Sequence, residues 1–372
     1  MKVDLIIGTR PEFIKLAPVA RIMRNYPGVV PRIILTGQHT DLLNGLPEFF
    51  SLEIHTILKV MAEGQSLGEL TSKLLLALEK QFQEDKPDVV LVQGDTTSAF
   101  MGALAAYYNG IPVCHVEAGL RTNDIYSPFP EEVNRAAIAQ IAQLNFAPTE
   151  RALQTLQSEG KTATHLVGNT VIDAALFAQM RHRIQAVALP VKLDKLKKLV
   201  LVTAHRRESH ASGLRHICDA IQTLHNTHPE LEFLLPTHSN PVVKEVISNA
   251  LATLERVHLS PPLSYPQMIA ALDQAWLLMT DSGGLQEEAP TFHLPVLVLR
   301  EKSERMEAVE SGSALLCGTS TEKLVEEVER LLTDAQAYKA MSLAPNPFGD
   351  GKAAMRITEI IKHTFKPSAP KL

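Results

Sequence analysis

A chain of 372 residues is too long for one ordinary hydrophobic core, so two domains of ordinary size are expected. Its 36 basic and 41 acidic residues leave a net charge of −5, which argues against a broad basic surface for nucleic acid. Cys114, Cys218 and Cys317 stand far apart with no Cys-x-x-Cys spacing, which argues against a disulfide framework or a zinc site and fits a reducing compartment. No apolar run approaches the ~20 residues of a membrane span, and the first residues lead into a strand-like run without a secretory leader, so a soluble cytoplasmic protein is expected.

Strand-like and helix-like patterns alternate from the start. Residues 3–7 read as a strand, a helix begins at Pro11, residues 32–36 read as a strand, and helices follow near 41–50 and over 67–82. The last of these places Leu67, Leu70, Leu74, Leu75, Leu78 and Phe82 on one face at a 3.6-residue period, the pattern of a helix covering a sheet. Two runs rich in β-branched residues, 89–92 and 113–116, flank a helix near 98–108, and the pairs 145–147 and 166–167 extend the series. Parallel strands joined by right-handed crossovers are the economical topology. Between about 171 and 197 the periodicity degrades, with an Ala-rich helix, Pro190 and the charged run 192–198, and a linker is expected there. The alternation then restarts with strands at 199–202, 232–235, 276–279, 296–299 and 314–316, and with helices near 214–224, 242–254 and 324–332. The fold class is therefore α/β with two doubly wound domains, 1–170 and 198–350, followed by a last helix within 351–372. Open parallel sheets carry ligands beyond the carboxyl ends of their strands, so two such domains facing one another would form one cleft.

Residues at those strand ends are the candidates. Thr280-Asp281-Ser282-Gly283-Gly284 follows the run 276–279 and opens a segment able to run as a helix to about Phe292. Its two glycines remove side chains that would keep a ligand off the backbone, and the first helical N–H groups lack internal partners, so the corner suits a diphosphate. From this stretch alone, a serine N-cap followed by glycines is more often just a turn. The first turn, Gly8-Thr9-Arg10-Pro11-Glu12, is not Gly-x-Gly-x-x-Gly, which counts against a bound NAD. Asp95 and Glu117 end buried-strand patterns, and Glu131 opens a helix after Ser127-Pro128-Phe129-Pro130. Three carboxylates on one rim repel, which prepares a proton-transfer group. Asp95 as a helix cap, and Glu131 with Glu132 as complements of a helix N-terminus, are the bland alternatives. His205 and His238 end further strands, Arg10 and Arg305 could meet phosphate, and no cluster has metal-ligand spacing, so no metal is expected.

These motifs occur in a specific order. Gly8-Thr9-Arg10-Pro11-Glu12 with Ile14-Lys15, Gly94-Asp95-Thr96-Thr97, His115-Val116-Glu117-Ala118-Gly119-Leu120-Arg121, Pro130-Glu131-Glu132, Gly168-Asn169-Thr170, His205-Arg206-Arg207-Glu208, residues 281–288 and Gly349-Asp350-Gly351 resemble the bacterial non-hydrolysing UDP-N-acetylglucosamine 2-epimerases over essentially the whole chain. The resemblance implies the glycosyltransferase-B architecture of two Rossmann-like domains, a last helix crossing back to the first domain, and a homodimer. It implies reversible conversion of UDP-N-acetylglucosamine to UDP-N-acetylmannosamine without NAD or metal, by elimination of UDP to a 2-acetamidoglucal and re-addition, feeding surface polysaccharide synthesis. It assigns Asp95, Glu117, Glu131 and His205 to catalysis, leaving open which carboxylate moves which proton. It places Arg10, Lys15, Ser282, Gly283, Gly284, His238 and Arg305 around the nucleotide diphosphate and Glu288 on the ribose.

The sequence also departs from the family pattern. Many members bind a second, activating UDP-N-acetylglucosamine through a Gln-His-Arg segment that is Gln38-His39-Thr40 here, with Asp41 behind it, and an Arg-Gln pair that is Gly64-Gln65 here. Gln38, His39, Gln65 and Arg206 remain, so a weaker or altered activation is expected. An epimerase of a modified UDP-sugar of the diacetamido-uronic acid type and a hydrolysing enzyme releasing N-acetylmannosamine and UDP are the alternatives.

Overall fold

A computed structural model describes residues 1–37, 43, 45–62, 64–204, 211–237, 241–303 and 305–365. The chain forms two compact units, one of Met1–Ala174 with Phe348–Leu372, the other of Ala175–Pro347.

In the first unit β1 (Lys2–Ile7), α1 (Arg10–Arg24), β2 (Val30–Leu35), α2 (Leu46–Phe50), β3 (Ile54–Ile57), α3 (Leu67–Glu84), β4 (Val89–Gln93), α4 (Thr97–Tyr108), β5 (Val113–Val116), α5 (Glu131–Ile141), β6 (Leu144–Ala147), α6 (Glu150–Ser158), β7 (Thr164–Leu166) and α7 (Thr170–Ile184) follow one another. All strand pairs are parallel, in the order β3-β2-β1-β4-β5-β6-β7. β4 is buried along its whole length, which is why its sequence is a continuous Val-Val-Leu-Val run rather than an alternating one. On α3, Leu70, Leu74, Leu78 and Phe82 are the buried residues, and each contributes about 1.5–3 kcal/mol of apolar burial. Leu67 and Leu75 of the expected face stay partly exposed. β3 is absent from the sequence reading because its residues Ile54-His55-Thr56-Ile57 lie at the sheet edge and are only half-buried or exposed.

The strand order reverses between β1 and β4, where the chain leaves in opposite directions and opens a crevice at the carboxyl ends. The turns bounding that crevice are Gly8-Thr9 and Gly94-Asp95-Thr96. Thr9 caps α1 in a capping box with Glu12, and Pro11 sits in the first turn, where its missing N–H costs nothing.

The second unit holds β8 (Lys198–Thr203), α8 (Ala211–Thr227), β9 (Leu231–Pro236), α9 (Pro241–Leu251), β10 (Val257–Ser260), α10 (Tyr265–Gln274), β11 (Leu277–Thr280), α11 (Gly283–Glu288), β12 (Val296–Val298), α12 (Met306–Glu310), β13 (Ala314–Leu316), α13 (Thr321–Thr333) and α14 (Ala335–Ser342). Its six parallel strands run β10-β9-β8-β11-β12-β13, the same order as the first six of the other sheet. Here the reversal lies between β8 and β11, and the hydroxyls of Thr203 and Thr280 meet across it at 2.6 Å. The core joins Val200, Phe233, Leu277 and Met279 of the strands to Ile217, Ile221 and Leu224 of α8.

The final helix α15 (Ala353–Thr364) belongs to the first unit. The Asp173 carboxylate of α7 accepts from the amides of Ala353 and Ala354, and the Asn169 amide donates to Phe348 O at 2.6 Å. Residues 169–173 and 348–354 are thus tied together within the first unit. α7 occupies the first half of the segment where the sequence loses its periodicity. No described helix is long and apolar enough to cross a membrane.

Candidate active site

The crevice of the first sheet carries most of the predicted acids. β4 ends at Gln93, Gly94 turns with a positive φ, and Asp95 stands on the rim. Asp95 does not cap α4, because Thr96 does so by accepting from the Ala99 amide. The Asp95 carboxylate meets the Arg135 guanidinium instead, Oδ2 lying 2.8 Å from Nη2, and its backbone carbonyl accepts from Asn134 Nδ2 at 2.9 Å. Both partners sit on the first turns of α5.

Glu117 follows β5 and is buried. Its φ of +63° is a left-handed conformation that a residue with a Cβ adopts at a cost of about 1 kcal/mol or more. Oε2 accepts from Lys15 Nζ at 2.5 Å and from Gln93 Nε2 at 2.6 Å, so three elements fix one carboxylate. Two residues on, Gly119 has φ +98°, and a Cβ there would stand 2.2 Å from Ala152 O. That close approach sets the path of the chain behind Glu117. Arg121 completes the support with a two-pronged pair to Glu159.

Glu131 is the first residue of α5 and half-buried, whereas Glu132 is turned inward, where Oε1 accepts from the amides of Thr122 and Asn123. Among the described residues no side chain or amide is bonded to the Glu131 carboxylate. Both acids stand in the first turn of α5, as the reading of helix-start acids expects, and Glu132 in addition closes a loop.

Two buried groups beneath these acids escaped the sequence reading. Glu12 is fully enclosed, accepting from the Gly8 and Thr9 amides and from Thr96 Oγ1. Burial pushes its carboxyl up to about 7, against the pull of those donors. It ties the β1–α1 turn to the residue after Asp95. His115 on β5 donates from Nε2 to Gly94 O at 2.7 Å, and burial brings its pKa down to about 4, with Arg121 and Arg135 opposing protonation further. The ring is neutral, and it braces the Gly94-Asp95 turn. Signals for these roles were present: Gln93 and His115 are polar residues inside buried strands, and Arg135 lies one helical turn after Glu131.

Arg10 opens α1 half-buried. Gln65 accepts from the Ala62 amide just before α3. Gln38, His39, His205, Arg206 and His238 lie outside the described residues.

The second unit presents a different rim. Ser282 caps α11 by position with no side-chain cap bond, its own amide donating to Thr280 Oγ1 at 2.9 Å. Gly283 and Gly284 form the first turn. α11 ends at Glu288 and gives way to a 3-10 turn over Ala289–Phe292, shorter than the helix expected to Phe292, because Pro290 has no amide to continue the ladder. Arg305 packs over this start: a Cβ on Gly283 would stand 4.0 Å from Arg305 Cζ. Its Nε donates to the buried Glu287 carboxylate at 2.5 Å, and its amide to Ser303 Oγ, which in turn donates to Gln286. Glu288 is buried at the far end of the same helix. Among the described residues no three His, Cys, Asp or Glu side chains gather as a metal-binding group.

Comparison with known proteins places nearly the whole chain in one family. The family profile described as UDP-N-acetylglucosamine 2-epimerase matches residues 21–362. The UDP-N-acetylglucosamine 2-epimerase of Escherichia coli K12 is 43% identical over 371 residues, covering 98% of this chain and 99% of that one. The crystal structure of the Neisseria meningitidis UDP-GlcNAc 2-epimerase bound to UDP-GlcNAc superposes with a TM-score of 0.89 at 38% identity, covering 98% of this chain and all (100%) of that one. The Methanocaldococcus jannaschii UDP-GlcNAc 2-epimerase in complex with UDP-GlcNAc and UDP gives 0.79 at 33% identity, over 98% and 100% of the two chains.

Proposed function

The chain belongs to the UDP-N-acetylglucosamine 2-epimerase family, and we propose that it interconverts UDP-N-acetylglucosamine and UDP-N-acetylmannosamine without hydrolysing either. The observation that carries this reading is the rim of the first sheet, where Asp95 on Arg135 and Glu117 on Lys15 and Gln93 are held as fixed, charge-matched carboxylates with Glu131 beside them on α5.

The sugar C2 proton has no carbonyl next to it to acidify it. Its removal is therefore coupled to departure of a good leaving group: a carboxylate takes the proton, the C2–H electrons form the C1–C2 double bond, and the C1–O pair leaves on the diphosphate. The 2-acetamidoglucal and UDP remain bound, a proton is delivered to the other face of C2, and the diphosphate oxygen attacks C1 again. Asp95, Glu117 and Glu131 serve the proton transfers together with His205. The amide corner at Ser282, Gly283 and Gly284, with Arg305, His238, Arg10 and Lys15, holds the diphosphate through the intermediate, and Glu288 binds the ribose hydroxyls. Neither NAD nor a metal takes part. A second UDP-N-acetylglucosamine acts as a weaker activator through Gln38, His39, Gln65 and Arg206. The enzyme works as a cytoplasmic homodimer supplying surface polysaccharide synthesis.

Incubation with UDP-N-acetylglucosamine in deuterated water, followed by NMR, tests the reading. UDP-N-acetylmannosamine deuterated at C2 is expected. Free N-acetylmannosamine with UDP identifies the hydrolysing reaction instead, and absence of exchange with this sugar while a modified UDP-sugar is turned over reassigns the substrate.

A further inference from the structure

We infer that Arg135 is a positioning residue for proton transfer, acting through Asp95, and that the first turns of α5 serve as one rigid mount for both Asp95 and Glu131. This rests on the epimerase reading above. α5 begins with Glu131, and Asn134 and Arg135 follow within its first turns. Asn134 holds the Asp95 backbone by its carbonyl, and Arg135 holds the Asp95 carboxylate at 2.8 Å. Any motion of α5 therefore carries Asp95 and Glu131 together, which keeps two acids in register with one substrate carbon.

A purely structural role accounts poorly for Arg135. Its guanidinium is buried, its Nε–H has no hydrogen-bond partner among the described residues, and Nη1 stands 3.5 Å from Glu132 Oε2, an oxygen that itself lacks a hydrogen bond. A buried ion pair left under-satisfied in this way adds little to stability, and well-packed apolar residues often replace one without loss. Its evident product is a carboxylate on the rim, oriented by a fixed cation and still partly open to the crevice, with side-chain exposure of 27%.

Charged and titratable groups near this turn come from several elements of the first unit. Glu131 and Glu132 come from α5, His115 and Glu117 from β5 and the turn after it, and Glu12 and Lys15 from α1. Lys15 is engaged by Glu117. His115 is bonded to the carbonyl beside Asp95, and Glu12 to the hydroxyl after it. The Arg135 guanidinium lies directly on the Asp95 carboxylate, Nη2 standing 2.8 Å from Oδ2. Losing it makes Asp95 easier to protonate, and so less available as a proton acceptor.

The test uses the full chain with Arg135→Met and Arg135→Lys, measuring kcat and KM for UDP-N-acetylglucosamine across pH together with thermal unfolding. Arg135→Met is expected to lower kcat about 100-fold, leave KM within about threefold, and move the acid limb of the kcat profile up by about one pH unit. Arg135→Lys, keeping the charge without the planar fork, should recover much of the turnover with its acid limb between the two. A folded Arg135→Met enzyme with the wild-type acid limb and near-normal kcat overturns the inference, as does equal impairment of both variants with an unmoved limb. If Arg135→Met does not fold, the acid limb of Arg135→Lys decides alone: displaced upward it supports the role, unmoved with reduced turnover it overturns it. Failure of the wild-type protein to epimerise at all is a different result, and it would remove the functional reading rather than this one.

Discussion

The two sheets share a strand order, yet their rims are chemically opposite. In the first unit three carboxylates at the crevice of β1 and β4 are each fixed by several bonds: Glu117 by Lys15 and Gln93, Asp95 by Arg135 with its backbone held by Asn134, and Glu12 by two amides and Thr96. In the second unit the crevice at β8 and β11 offers hydroxyls, glycines and helix-start amides, with Asp281 fully buried in the turn after β11 and Glu287 and Glu288 further along α11. The proposed function assigns these two rims of one topology to two tasks. Proton transfer needs charged groups held to a fraction of an ångström, and anion binding needs bare backbone with partial positive charge.

The sharpest way to break the contrast is to remove charge from the first rim. Asp95→Asn should keep the fold and lower kcat about 1,000-fold with little change in KM, as steady-state kinetics would reveal; a loss confined to KM would move Asp95 into the binding half. Next in size is the backbone beneath Glu117. Gly119→Ala places a Cβ against Ala152 O in a left-handed conformation, and urea unfolding should find it destabilised by about 3 kcal/mol or more.

The pH response of the first unit follows from His115. Its folded pKa of about 4 lies below the unfolded value near 6.5, so as pH falls through that window the unfolded chain binds a proton that the native ring refuses. Stability should fall with decreasing pH, by about 3 kcal/mol at most from this group. His115→Gln should flatten that part of the urea-derived stability curve, and an unchanged slope would show that the ring accepts a proton in the fold. On the second rim, Glu288→Ala should raise KM and UDP dissociation about 30-fold with kcat within a few-fold, by the loss of about 2 kcal/mol of charged hydrogen bonding. Equal loss in kcat would erase the division of labour.

Much of this was legible in the sequence because buried parallel strands are continuous apolar runs, and the residues just after them have to face the crevice. Asp95, Glu117, Ser282 and Gly283 were found that way. Elements with weak patterns were not: β3 is a half-exposed edge strand, and β10 with α10 begins as Val257-His258-Leu259-Ser260 and passes through Pro261-Pro262. The partners of the acids were also hidden. Gln93, Asn134 and Arg135 act across elements, and only the packing of α5 beside the β4–α4 turn decides that Arg135 meets Asp95 rather than solvent. Glu131 and Arg135 at i and i+4 gave a local hint that could not name the third partner.

The central claim is that the C1–O bond breaks while the second unit keeps hold of the diphosphate. UDP-N-acetylglucosamine labelled with ¹⁸O in the sugar–phosphate bridge tests it directly by ³¹P NMR of recovered nucleotide sugar. The account predicts that the label moves into non-bridging positions of the β-phosphate during epimerisation, because the terminal phosphate of bound UDP, once parted from C1, can turn about its P–O bond before it re-adds. Label that stays in the bridge through many turnovers, while C2 inverts, would contradict it.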